Sequence, residues 1–97
     1  MKAVFIPYNQ ALKDNIIELL DRMSIRGFTQ WEHVQGRGTE KGEPHYGSHA
    51  WPTMNSSILT VIPDEKVEAL LEKLRALDKE TERQGLHAFV WNIEQSV

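Results

Sequence analysis

Six patterned segments in the order β-α-β-β-α-β set what this chain can become. Residues 3–8 (AVFIPY) are apolar at both alternating sets of positions, the pattern of a strand covered on two faces. Over residues 11–24, Leu12, Ile16, Leu19, Leu20 and Met23 recur at helical spacing, with Lys13, Asp14, Glu18, Asp21 and Arg22 on the wet side. Asn9 stands where a helix N-cap belongs, and Gly27 where a terminating glycine does. Residues 28–35, 57–62 and 86–93 read as three further strands by their β-branched and aromatic content. Pro63 and Asp64 open a second helix, with Asp64 as its cap and Glu65 near the positive end of the dipole. Val67, Leu70, Leu71, Leu74 and Leu77 form the apolar stripe of that helix.

This order predicts an α+β fold of the ferredoxin-like, split βαβ kind, in which two helices cover one face of a four-stranded antiparallel sheet. The other face stays open. Yet Val4, Ile6, Phe89, Trp91 and Ile93 alternate with Ala3, Phe5, Ala88 and Val90, so a monomer would expose a larger apolar patch than soluble monomers usually show. The open face is therefore expected to be buried against other copies of the chain. Ninety-seven residues make a single domain, 1–97, of a size for which association is a common source of added stability.

The second and third strands are joined by residues 36–55. A connection of about 20 residues without helix or strand pattern is long for so small a domain, and such loops are usually functional or disordered. This one carries Gly36-Arg37-Gly38, a second turn at Lys41-Gly42-Glu43-Pro44, and then His45, Tyr46, His49, Trp51 and Met54. A net charge of -3 and a pI near 5.8, with scattered basic residues, exclude a nucleic-acid binder with a basic face. The absence of cysteine excludes disulfides, thiolate metal sites and cysteine nucleophiles. The N-terminus does not resemble a signal peptide, and no apolar run approaches the roughly 20 residues needed to span a bilayer, so a soluble cytoplasmic protein is expected.

Ile25-Arg26-Gly27-Phe28-Thr29, followed by Glu32-His33-Val34-Gln35-Gly36-Arg37-Gly38-Thr39-Glu40-Lys41-Gly42, resembles the PII-type signal-transduction proteins. Their pattern there is roughly Gly-(apolar)-Thr-x-x-Glu-Val-x-Gly-x-Gly-Arg-Gln-Lys-Gly, at the base of a protruding loop. The resemblance covers most of the chain in topology and is specific in motif between Gly27 and Gly42. It implies a homotrimer whose sheets face a central barrel. It also implies adenine-nucleotide binding (ATP, ADP or AMP) between subunits, and a loop that docks on a membrane transporter or enzyme. Such proteins are regulators rather than catalysts. The chain departs from the family where a Thr-Gly-x-x-Gly-Asp-Gly-Lys phosphate loop should precede the fourth strand, since Thr81-Glu82-Arg83-Gln84-Gly85-Leu86-His87 stands there. The family's C-terminal arginines and its modifiable tyrosine are not reproduced, and Tyr46 does not inherit that role. The chain looks like a divergent PII-like protein.

Two parts of the loop are candidate sites. At the loop base, Gly36, Arg37, Gly38 and Lys41 combine close backbone approach, N–H groups able to form an anion nest, and point charges, a chemistry suited to phosphate. The alternative there is a plain loop base. Further along, His45 and His49, with Trp51 and Met54 downstream, offer imidazole and thioether ligands to a transition metal such as zinc or copper. The alternative is that both histidines are polar loop residues, with Trp51 and Met54 packing where the loop rejoins the third strand. His87, on one face with Phe89 and Trp91, is expected as an interface histidine. An acylphosphatase-like hydrolase also fits the fold and size. Residues 7–10 after the first strand, however, lack that family's glycine-rich, arginine-bearing loop.

Overall fold

The structure, a computed structural model, describes residues 1–37, 40–48, 53–81 and 85–97. Its elements are β1 (Lys2–Asn9), a 3₁₀ turn (Gln10–Leu12), α1 (Lys13–Arg22), β2 (Thr29–Val34), β3 (Asn55–Ile62), α2 (Asp64–Glu80) and β4 (Phe89–Asn92). The strands form an antiparallel sheet in the order β2-β3-β1-β4, the expected ferredoxin-like arrangement. Each strand that follows a helix takes an edge, and β1 and β3 pair over their full length in the middle.

One face of the sheet makes the core. Val4, Ile6 and Tyr8 of β1 and Ile58 and Ile62 of β3 meet Ile16 and Leu20 of α1 and Val67, Leu70 and Leu74 of α2, all buried. Each such side chain is worth about 1.5–3 kcal/mol on burial. That far exceeds an exposed ion pair such as Lys13–Glu32, so packing holds the helices to the sheet. The pair still shifts both groups: Lys13 holds the Glu32 carboxyl below the usual carboxylate range, and Glu32 raises the Lys13 ammonium above its own. The other face is open, as expected, and carries Trp31, Val61, Phe89 and Trp91, each between 43% and 55% exposed.

Helix ends differ from expectation in instructive ways. Asn9 does cap, its Oδ1 accepting from the Ala11 N–H at 2.9 Å, but what it caps is the 3₁₀ turn that leads into α1. Gly27 does not end α1. The helix stops at Arg22, and Ser24 takes the left-handed conformation, φ 59°. Its N–H bonds the Asp21 carbonyl while the Ile25 N–H bonds that of Leu20, at 3.0 and 2.9 Å. These are the two bonds of a Schellman motif, closed by the buried contact pair Leu20 and Ile25. Asp64 is not a side-chain cap of α2 either. Pro63 takes the cap position, and the Asp64 carboxylate lies 2.7 Å from the Met1 ammonium, which holds it below its ordinary range.

Two irregularities shape the open face of the sheet. In β2, Trp31 pairs with Ser57 but Val34 pairs with Asn55, so Glu32 and His33 stand opposite Ser56 alone. The Ser56 hydroxyl repairs the gap by donating to the Glu32 carbonyl. This bulge puts Trp31 and Val34, three residues apart, on the same open face as Ser57 and Asn55. The second irregularity is Pro7. The β1–β4 register places Phe5 opposite Phe89, and the same register puts Pro7 opposite His87. The His87 N–H donates to the Pro7 carbonyl at 3.1 Å, but proline has no N–H to return. Pairing therefore thins beyond Phe89, and β4 begins there, three residues later than expected.

Candidate functional site

A cleft of about 340 Å³ opens on the sheet face at the root of the long loop. Phe5 and Pro7 of β1, Val34 of β2, Gln35, Gly36 and Arg37 after it, Asn55 and Ser57 of β3, and Gly85, His87 and Phe89 line it. The bulge supplies Val34, and Pro7 leaves the segment before β4 free to stand off the sheet. His87 stacks on Phe89, with ring centroids 6.1 Å apart and planes 18° from parallel, and so forms one aromatic wall. His87 is thus a cleft residue.

The loop root is tied by an isolated bridge between Gly36 and His45. The Gly36 N–H donates to the His45 carbonyl at 3.0 Å, and the His45 N–H donates back at 2.7 Å. The Gly36 N–H is therefore turned to His45 and is not the anion-nest donor that the sequence led us to expect. What glycine provides is space: a Cβ there would stand 2.6 Å from the Asn55 side-chain nitrogen. Asn55 is buried, and its Oδ1 lies 2.6 Å from Nδ1 of His45, itself only 5% exposed. His45 is thus a root residue, not a tip residue.

Tyr46 continues the root outward. Its carbonyl accepts from Gln35 Nε2 at 2.8 Å, and its hydroxyl accepts from an Arg37 guanidinium nitrogen at 3.0 Å. The same guanidinium lies 5.8 Å over the Tyr46 ring. Arg37 is exposed and is the cation on the cleft wall.

Of the anion-binding candidates, the cleft brings together Gly36 and Arg37. Lys41 is exposed in the turn beyond and is not among the cleft-lining residues, and Gly38 lies outside the described residues. Of the metal candidates, His45 has one ring nitrogen on Asn55, and His49 lies outside the described residues, as does Trp51. Among the described residues no group of three or more His, Cys, Asp or Glu is gathered for a metal. Sequence reasoning missed Gln35, Asn55, Ser57 and Gly85 as cleft residues. Only Gly85 left a signal, as a surviving glycine of the otherwise lost phosphate loop.

The family model described as Nitrogen regulatory protein P-II matches residues 1–97. The chain belongs to the P-II family. No curated protein sequence matches it. Among solved structures, CPII, a nitrogen regulatory PII-like protein from Thiomonas intermedia K12, is similar in its form bound to ADP, AMP and bicarbonate. That match has 24% identity and a TM-score of 0.77 over 95% of this chain and 84% of CPII. The CPII form bound to ADP and bicarbonate gives 26% and 0.76, again over 95% and 84%. A PII-like signalling protein from Thermus thermophilus matches at 22% identity and TM-score 0.67, over 95% of this chain and 85% of that one. This P-II chain therefore has the fold of its PII-like neighbours. No helix among its described residues is long and apolar enough to cross a membrane.

Proposed function

We propose that this P-II family regulator binds a small anionic ligand, an adenine nucleotide or bicarbonate, in the cleft at the loop root. The observation that carries the reading is the cleft's lining. Among the described residues it combines a cation, Arg37, and the polar side chains of Gln35, Asn55 and Ser57 with the aromatic rings of Phe5, His87 and Phe89. An anionic group needs the first set, and a flat ring or a small apolar body suits the second. CPII, bound to ADP with AMP or bicarbonate, supports the same ligand classes for this chain.

The cleft borders the open apolar face of Trp31, Phe89 and Trp91. Burial of that face in a homotrimer would make the cleft an intersubunit site and take Trp31, Phe89 and Trp91, each about half exposed, out of water. The ligand then acts by favouring one arrangement of the loop, which docks on a transporter or enzyme in the cytoplasm; the protein itself is not a catalyst. The test is calorimetric titration with ADP, AMP and bicarbonate. At least one should bind, and Arg37→Ala should weaken it about tenfold or more, the worth of a charge-assisted hydrogen bond. Failure of all three to bind would overturn the proposal.

A further inference from the structure

Arg37 has two claims on it. It lines the cleft, and its guanidinium is parked on Tyr46 through a 3.0 Å hydrogen bond and a ring contact. We infer that Arg37 is a two-position side chain, held by Tyr46 in one position and drawn off it into the cleft by an anionic ligand in the other. Release of the Tyr46 ring is then the direct cost of binding. This rests on the proposed ligand site and adds to it the residue pair by which occupancy reaches the loop.

The surroundings divide into a fixed part and a releasable part. His45 is fixed: it is buried, its backbone makes both bonds to Gly36, and its ring is tied to Asn55. Tyr46, one residue on, is half-buried, and its ring is held by Arg37. Beyond it, Gly47 takes a left-handed φ of 64°, a conformation that suits a hinge. Tyr46 also bridges Met54 on the returning arm, and the Gly47 N–H donates to the Thr53 carbonyl at 3.0 Å. These arm-to-arm bonds are backbone bonds, so freeing the Tyr46 ring repositions that ring on the loop surface while the root and the arms keep their register. Arg37 and Tyr46 are near the surface, so their contact is weak and exchange is easy. A cation–π pair at an exposed site changes an equilibrium by about two- to fivefold, whereas a charge-assisted bond to an anion is stronger. The ligand wins the competition, and a fewfold bias is left to be read at the loop.

The chain has two tyrosines, and Tyr8 is completely buried, so fluorotyrosine labelling gives two ¹⁹F signals that separate by environment. The Tyr46 signal of ligand-free Arg37→Ala marks the released position. Saturating the wild-type protein with ADP or bicarbonate should move the Tyr46 signal toward it. Tyr46→Leu, which frees Arg37 in advance, should bind the same ligand about two- to fivefold more tightly. Binding with an unmoved Tyr46 signal and unchanged affinity in Tyr46→Leu overturns the exchange alone and leaves the ligand site standing. No binding of either probe to the wild type overturns both.

Discussion

Replacing Gly36 with alanine should be costly, although its backbone angle permits alanine. Gly36 is not among the residues with positive φ, so the substitution ought to stabilise by about 0.4–1 kcal/mol through reduced freedom of the unfolded chain. Against that stands the methyl group's position, 2.6 Å from Asn55 Nδ2, a gap that must open to at least 3.4 Å. Asn55 has little room to withdraw. It is buried in β3, and its other side-chain atom is bonded to His45. Overpacking of this kind costs about 1–3 kcal/mol, and losing the buried His45–Asn55 bond costs about 1–3 more. The net expectation is a loss of about 1–5.5 kcal/mol. With a urea slope of about 2 kcal/mol/M for a small domain, the midpoint should fall by about 0.5–3 M with the slope unchanged. Variants must be compared at one protein concentration, because an oligomer's stability depends on it. In an Asn55→Ala background the same change should cost less by at least about 1 kcal/mol, because the obstructing amide is gone. A neutral or stabilising Gly36→Ala, or equal costs in the two backgrounds, would refute the reasoning.

Three further outcomes are expected. Ser24→Gly should stabilise by about 0.5–1 kcal/mol in the same unfolding assay, because serine holds the left-handed cap position of α1 that glycine adopts freely. Burial raises the Tyr8 phenol above its ordinary value, so the unfolded chain loses that proton first. Stability should therefore be level below about pH 10 on this account and fall as pH rises beyond it, and Tyr8→Phe should flatten the fall. Trp91→Asp, on the exposed sheet face that the proposed trimer would bury, should give smaller species than the wild type in sedimentation velocity at unchanged secondary structure by circular dichroism.

The sheet and both helices were legible because their signals are local and periodic. Leu70 and Leu74 declare a helix face, and Ile58, Thr60 and Ile62 a strand face, whatever lies elsewhere. Ser24 escaped because serine is seldom the left-handed residue at a helix end, and Gly27 nearby drew the assignment. The bulge at Glu32 and His33 changes which residues share a face, and no local pattern marks it. The cleft was least legible, since Phe5, Arg37, Asn55 and His87 meet only through strand pairing between distant segments. His45 was misplaced for the same reason. Its bridge to Gly36 spans nine residues without periodicity, so its imidazole read as a loop group open to a metal. The root motif itself was visible, but Gly36 there serves Asn55 rather than an anion.

The missing hydrogen of Pro7 has a dynamic consequence. Within an antiparallel ladder, a hydrogen-bonded pair exchanges two bonds, whereas His87 is held to β1 by one. Parting His87 from Pro7 therefore forfeits about 0.5–1.5 kcal/mol of hydrogen bonding and leaves Phe89–Asn92 in register. The His87 side of the aromatic wall is therefore tied to β1 more weakly than the Phe89 side, while Leu86 beside it anchors the segment in the core. Amide exchange should report this as a His87 N–H that exchanges well before the paired amides of β4.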